Sequence, residues 1–132
     1  MSNIEPRLYI VMREDLWDMN PGKGMAQAAH AQSDFTSHLF PMSIPDAYEF
    51  QDAVKVWRED RSFGATLVLH EPLNTMTQIL SYMPHSGIVR DPTYPYRNHY
   101  GKMFTSSELT CMWAFAYTEE EINYMKQWKL HQ

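Results

Sequence analysis

Residues 110–117 (TCMWAFAY) constrain the fold of this chain more than any other segment, because they are almost wholly apolar. An apolar run of this length is typical of a central strand covered on both faces, as in sheets flanked by helices. The run is far shorter than the ~18 apolar residues that cross a bilayer as a helix. The sequence must therefore supply further strands beside this one, and helices above and below it.

Three other segments have the composition of strands. Residues 8–12 (LYIVM) form a second continuous apolar run, and residues 65–70 and 87–90 are shorter apolar stretches between Gly, Pro or charged residues. We predict that these segments lie in one sheet with the strand at residues 110–117.

Three segments have the apolar spacing of helices that pack on such a sheet. Residues 46–59 predict one helix, residues 76–83 predict another after Pro72, and a capping box of Thr118 and Glu121 opens the last. The apolar positions are Ala47, Phe50, Val54 and Trp57 in the first, Met76, Ile79, Leu80 and Met83 in the second, and Ile122, Met125 and Trp128 in the third.

A further helix follows the break at Asn20-Pro21-Gly22 and has two distinct faces. Its apolar positions are Met25, Ala28, Ala29, Phe35 and Leu39, and its polar stripe is Lys23, Gln27, His30 and Asp34. Lys23 lies in the first turn, where the helix dipole disfavours a cation, so an anion nearby would explain its position. The alternative, that the stripe is simply a solvated face, stays open on spacing alone.

The order of these segments is strand, helix, helix, strand, helix, strand, strand, helix. Alternation of this kind predicts an α/β fold, here a single three-layer domain over residues 1–132. We expect a four-stranded mixed sheet, mostly parallel, with helices on both faces.

Composition limits the classes of protein that remain. The one cysteine, Cys111, excludes an internal disulfide framework and favours a reducing compartment, and the N-terminus lacks a signal-peptide pattern, so we expect a cytoplasmic protein. Cys111 lies within the apolar run and is expected to be a packed thiol. The net charge of −5 disfavours binding nucleic acid over the whole surface.

The sequence lacks the motifs of several common enzyme classes. The six histidines have no metal-ligand spacing, so we predict no metal. Serine hydrolase elbows, phosphate-binding loops and dinucleotide fingerprints are also missing from the sequence.

Residues 91–107 form the longest polar stretch and are expected to be a loop that carries function. Between residues 85 and 102, the cations Arg90, Arg97 and Lys102 outweigh Asp91 and leave a local positive charge. The aromatic rings of the stretch could stack on nucleic acid bases. These rings are Tyr94, Tyr96, His99 and Tyr100. The alternative is a polar loop whose tyrosines pack on the domain.

Taken together, five blocks resemble the type 2 peptidyl-tRNA hydrolases, the archaeal and eukaryotic class. In chain order they are Arg13-x-Asp15-Leu16, Gly22-Lys23-x-x-Ala26-Gln27-x-x-His30-Ala31, Trp57 with the strand after Gly64, Ile88-Val89-Arg90-Asp91, and Lys129-Leu130. The chain departs from the family's pattern after Asp91, where it has Pro92-Thr93-Tyr94-Pro95-Tyr96-Arg97 and a longer loop.

The resemblance implies hydrolysis of the ester between a peptide and the 3′ ribose of tRNA, without metal or cofactor. It implies that Lys23 and Asp91 are the catalytic pair. Asp91 would orient or deprotonate water, and Lys23 would stabilise the oxyanion that develops on the ester carbonyl. The expected partner is the 3′ aminoacyl end of peptidyl-tRNA, and a homodimer is left open.

The remaining site residues are expected to bind substrate. Gln27, Arg13 and Arg90 would position the peptide carbonyl or a phosphate, and His30 would brace the site. Thr93 and Thr105 are the two candidates for a hydroxyl partner, and Arg97 belongs to the basic loop. The alternative function is a catalytically inactive homologue that binds tRNA, a nucleotide or a protein partner on the same scaffold.

Overall fold

The structure, a computed structural model, describes residues 5–16, 19–38, 46–60, 64–97 and 100–128. Its helices and strands follow the predicted order. The elements are β1 (Arg7–Arg13), α1 (Pro21–His38), α2 (Asp46–Glu59), β2 (Thr66–Glu71), α3 (Leu73–Tyr82), β3 (Ser86–Arg97), β4 (Met103–Ala116) and α4 (Glu119–Met125). None of the described helices is long and apolar enough to cross a membrane.

The four strands form one mixed sheet in the order β2-β1-β4-β3, which confirms the predicted α/β fold. The expectation of a mostly parallel sheet was wrong. β1 is parallel to β2 but antiparallel to β4, and β3 is antiparallel to β4. β3 and β4 are antiparallel because they are consecutive and pair directly as a hairpin, so no crossover helix separates them.

Helices cover both faces of the sheet, as predicted. On one face, Ile10, Trp113 and Phe115 pack in a cluster with residues of α1 and α2. On the other face, Val11, Met112 and other strand residues pack with residues of α3 and α4. Neighbouring residues of β1 and β4 therefore point to opposite faces, and both faces are apolar, which is why these central strands lack polar alternation.

The second and last helices agree closely with their patterns. Phe50, Val54 and Trp57 are buried on one side of α2. The capping box of α4 is present, because Thr118 accepts the N–H of Glu121 at 3.2 Å and the Glu121 carboxylate accepts the N–H of Thr118 in return. α4 ends before Trp128, although Trp128 still packs on the core.

The buried face of α1 differs from the predicted one. Met25 is 71% exposed, whereas Gln27, Ala31 and Phe35 are buried, and Leu39 lies outside the described residues. The polar stripe is therefore not simply solvated, since part of it lies against the sheet. Spacing alone could not show this, because a polar side chain such as that of Gln27 can be buried wherever a hydrogen-bond partner satisfies it.

The prediction of a loop over residues 91–107 was also wrong. β3 continues through Arg97, and β4 begins at Met103, so most of this segment is a two-stranded hairpin. Pro92 and Pro95 favoured a loop in the sequence, but in the structure both lie within β3. Proline is tolerated there because β3 is an edge strand, and the register of β3 against β4 shifts next to Arg90 and between Asp91 and Tyr94.

Candidate active site

The N-terminal turns of α1 and the middle of β3 bring the predicted catalytic residues to one side of the sheet. α1 begins at Pro21, and the side-chain oxygen of Asn20 accepts the N–H of Lys23 at 2.9 Å, which is N-cap geometry. This cap fixes the direction in which the first turn of α1 approaches β3. The break seen in the sequence at Asn20 is thus the start signal of the helix.

The Lys23 ammonium lies against β3. Its Nζ donates a hydrogen bond to the carbonyl oxygen of Pro95 at 2.7 Å and lies 5.2 Å from the centre of the Tyr94 ring. Pro95 is four residues beyond Asp91 on the same strand. The cation is therefore held at the edge strand that carries Asp91, and not in open solvent.

Asp91 is held by donors from two elements. One carboxylate oxygen accepts the side-chain N–H of Gln27 at 2.8 Å, and the other accepts the backbone N–H of Thr93 at 2.9 Å. The Thr93 hydroxyl lies 3.4 Å from that second oxygen. Both oxygens of the carboxylate are fixed in position, one by α1 and one by the strand itself.

Thr110 extends this arrangement into the core. Its hydroxyl donates to the side-chain oxygen of Gln27 at 2.6 Å, which leaves the amide nitrogen of Gln27 facing Asp91. Thr110 and Gln27 are 0% and 3% exposed. A chain of hydrogen bonds therefore runs from β4 through α1 to Asp91, and Thr110 sets the orientation of the amide at its centre.

These hydrogen bonds favour the ionised carboxylate. The backbone N–H of Thr93 is the largest cause of a pKa of Asp91 below its ordinary value, and partial burial opposes it. The Gln27 amide, the Thr93 hydroxyl and the charge of His30 also lower this pKa. Asp91 is accordingly an anion at neutral pH.

Of the other predicted site residues, His30 lies near Asp91 and Arg13 makes its contacts elsewhere. His30 is exposed on α1, close enough to act on the charge of Asp91. Arg13 instead binds Asp15 at 2.9 Å and the carbonyl oxygen of Leu109 at 3.2 Å, which ties the end of β1 to β4.

Three predicted residues lie away from Asp91. Arg90 pairs with Leu109, whose side chain packs in the cluster under α3 and α4, so Arg90 belongs to the opposite face of the sheet. Arg97 and Thr105 are exposed further along the hairpin. Gln27, His30 and Thr93 thus act directly on Asp91, whereas Lys23 contacts the same strand at Pro95, four residues further along. Arg90, Arg97 and Thr105 lie elsewhere.

Sequence reasoning missed Thr110 as a site residue. The available signal was that it is the one polar residue in the apolar run at residues 110–117. A buried hydroxyl requires a partner, and here that partner is Gln27.

Cys111, next along β4, is a packed thiol as predicted. It is fully buried, and burial is the main cause that raises its pKa to about 12. Its thiol contacts the carbonyl oxygen of Gln27 at 3.2 Å. Within the described part of the chain, no group of three His, Cys, Asp or Glu side chains could hold a metal ion.

A cavity of about 390 Å³ lies on the other flank of α1, lined mainly by apolar residues such as Met12, Met25 and Val68. Its strand residues belong to β1 and β2, whereas Asp91 lies on β3 at the opposite edge of the sheet. The cavity is therefore separate from the Lys23–Asp91 site.

Comparison with known proteins gives a family match for the chain. A family model described as peptidyl-tRNA hydrolase PTH2 matches residues 7–125, which covers every element from β1 to α4. Of the blocks that carried the resemblance in the sequence, only Lys129-Leu130 falls beyond this match, and it lies outside the described residues. No curated protein matches the chain.

Proposed function

The chain belongs to the peptidyl-tRNA hydrolase PTH2 family, and we propose that it hydrolyses the ester bond that joins a peptide to the 3′ ribose of tRNA. Water adds to the ester carbonyl, the bond to the 3′ oxygen breaks, and that oxygen takes up one of the two protons of the water. The products are tRNA with a free 3′ hydroxyl, a peptide carboxylate and one proton released to solvent. The observation that carries this proposal is the fixed, ionised Asp91 carboxylate on the strand edge where the Lys23 ammonium is held.

The geometry favours one division of roles between these residues. A carboxylate whose pKa lies below the ordinary value is a weak base, so Asp91 is better suited to orient the attacking water than to remove its proton fully. Lys23 supplies the positive charge for the oxyanion that develops on the carbonyl oxygen. Its hydrogen bond to Pro95 holds that charge in place before the substrate arrives.

Gln27 and Thr110 act in this proposal as positioning residues. Gln27 donates a hydrogen bond to one oxygen of Asp91 and so holds the carboxylate in one orientation. The lone pairs that remain on the carboxylate then accept a hydrogen bond from the attacking water in a fixed direction. Thr110 keeps the amide of Gln27 from turning its oxygen toward Asp91, which would place two acceptors against each other. Preorganisation of this kind lowers the cost of reaching the transition state.

A hydrolysis assay tests the proposal. The purified protein should release tRNA from an N-acetylated aminoacyl-tRNA without added metal. Lys23→Ala and Asp91→Asn should each lower kcat/KM by about 100-fold or more, the range typical of an oxyanion or acid–base group. Matched controls are Lys55→Ala and Asp52→Asn, which remove the same charges from exposed positions on α2 and should leave the rate unchanged.

Two outcomes would contradict the proposal in different ways. If the wild-type protein binds the tRNA but releases none, the alternative of an inactive binding protein is favoured. If hydrolysis occurs and Asp91→Asn retains the wild-type rate, the chain is an enzyme but its reaction does not depend on the site assigned here.

A further inference from the structure

The hairpin of β3 and β4 extends beyond the body of the sheet. β1 pairs with β4 from Ala116 to Cys111, whereas β3 continues to pair with β4 as far as Arg97 and Met103. The hairpin beyond Asp91, residues 92–107, is called here the β3–β4 arm. It begins at the proposed active site and leads away from it.

The aromatic residues of the β3–β4 arm form a stack whose outer end is exposed. Tyr94 is fully buried and packs with Leu16, and Tyr96 is only 7% exposed. The ring of Phe104 stacks on that of Tyr96, with centres 5.2 Å apart and planes 15° apart. Phe104 itself is 47% exposed.

This arrangement changes which rings can meet a ligand. The sequence suggested Tyr94 and Tyr96 as stacking residues, but both rings are buried within the β3–β4 arm. His99 lies outside the described residues. Among the described residues of the arm, the rings that reach solvent are those of Phe104 and Tyr100, and Tyr100 is 94% exposed. One face of Phe104 is covered by Tyr96, so the arm presents the other side of an already ordered ring.

The charge of the β3–β4 arm is opposite to that of the whole chain. Residues 92–107 contain Arg97 and Lys102 and no Asp or Glu, in a chain with a net charge of −5. Both cations are exposed. Exposed aromatic rings combined with cations and no carboxylates are typical of surfaces that bind single-stranded nucleic acid, where bases stack and phosphates pair with cations.

We infer that the β3–β4 arm binds the unpaired 3′ end of the RNA substrate, with bases stacked on Phe104 and Tyr100 and phosphates near Arg97 and Lys102. This inference rests on the proposed function, which places the terminal ribose at Asp91. Tyr96, whose ring stacks on that of Phe104, is five residues from Asp91, or roughly 16 Å along an extended strand. A few unpaired nucleotides span that distance.

Binding of RNA without an ester separates this inference from the hydrolysis itself. The probe is a fluorescently labelled single-stranded RNA ending in CCA, and the measurement is its anisotropy during titration with the full chain. Phe104→Ala and Tyr100→Ala should each weaken binding by about 5- to 100-fold, the range for loss of one base–aromatic stack. Tyr82→Ala removes an exposed tyrosine from α3 and should leave the affinity unchanged.

Four further variants separate stacking and charge from loss of structure. Phe104→Leu keeps an apolar side chain and should still lose affinity, whereas Phe104→Tyr should retain it. Lys102→Gln should reduce the slope of log K against log salt by ~0.7, the value for one phosphate contact on a single strand. Lys55→Gln on α2 should leave that slope unchanged.

The results distinguish the inference from the proposed function. If the wild-type protein hydrolyses its substrate but the Phe104, Tyr100 and Lys102 variants all bind the RNA as well as wild type, the role of the β3–β4 arm is refuted while the function stands. If these variants lose RNA affinity and the wild type shows no hydrolysis, the binding role stands alone. If they change only the oligomeric state in sedimentation, the β3–β4 arm is a contact between copies of this chain, and the inference is wrong.

Discussion

Replacing Thr110 by valine removes one hydroxyl from the core while keeping a β-branched side chain of similar shape. In the native protein this hydroxyl donates to the side-chain oxygen of Gln27 at 2.6 Å, and Gln27 donates to Asp91 at 2.8 Å. Thr110→Val leaves the Gln27 oxygen buried without this donor and allows its amide to turn. The substitution therefore perturbs Asp91 without touching it.

The expected size of the effect comes from these two hydrogen bonds. A buried acceptor that loses its partner costs about 1–3 kcal/mol of stability, which lowers Tm by roughly 4–12 °C in a domain of this size. A weakened hydrogen bond to the charged Asp91 should lower kcat/KM by about 10- to 100-fold, because such bonds contribute ~1.5–3 kcal/mol. The pKa of Asp91 should rise, since the Gln27 hydrogen bond that helps to lower it is weakened.

The assay is kcat/KM for an N-acetylated aminoacyl-tRNA across pH, with thermal unfolding of the same samples. In the proposed mechanism Asp91 acts as an anion, so a rise in its pKa moves the acid limb of the profile to higher pH. A role in stability alone would lower Tm and leave that limb in place. Thr110→Ser retains the hydroxyl and should keep the wild-type pH profile. A Thr110→Val protein with wild-type kcat/KM and an unchanged acid limb would refute the positioning role.

Two predictions concern stability. The ring of His85 stacks on Phe50 with centres 3.9 Å apart, and burial, followed by the charge of His38, lowers its pKa to about 4. The unfolded chain takes up this proton below pH ~6.5, so stability should fall as pH drops from there towards 4. The loss should be roughly 1–2 kcal/mol once solvent screening of this partly exposed ring is allowed for, and His85→Phe should flatten that part of a urea-unfolding profile. An equal pH dependence in wild type and variant would contradict this assignment. Gly64 has φ 85° and its Cβ would collide with the Trp57 ring, so Gly64→Ala should cost about 2–4 kcal/mol in urea unfolding. Gly101→Ala is the control, because in the described part of the chain its Cβ meets nothing within 4 Å, and only the ~1 kcal/mol penalty of φ 79° applies. Equal losses in the two variants would exclude the contact with Trp57 as the cause.

The local patterns of the sequence predicted the elements that depend on local interactions. The bounds of α2 and the capping box of α4 agree with the structure, because helix periodicity and caps involve residues three or four positions apart. The apolar run at residues 110–117 likewise predicted a central strand and a buried Cys111. A run that is apolar on both faces can be accommodated only inside the fold.

The hairpin could not be predicted in the same way. Its prolines and tyrosines resemble a loop in sequence, and Tyr94 and Tyr96 become strand residues only because β4 pairs with them. Proline is compatible with β3 because no further strand pairs with its outer edge in the described sheet. Strand pairing joins residues far apart in the chain, so no short window of sequence contains it.

For the candidate site too, some residues could be named from the sequence, whereas the placement of others depends on the tertiary structure. Residues 22–31 and Asp91 could be named from the sequence by resemblance, and in the structure Lys23 and Gln27 both contact β3, the edge strand that carries Asp91. The sequence could not show that Arg90 belongs to the other face. A register shift and strand alternation decide that position.

The sequence by itself determined the order of the elements, the burial of the central strands and the family of the chain. Apolar periodicity and short motifs are properties of neighbouring residues, so they can be recognised before folding is known. Only the tertiary structure decided that Thr110 orients Gln27 and that Phe104 is the exposed end of an aromatic stack. The residues concerned are 83 positions apart in the first case, and in the second they lie on two strands whose pairing fixes which ring is covered.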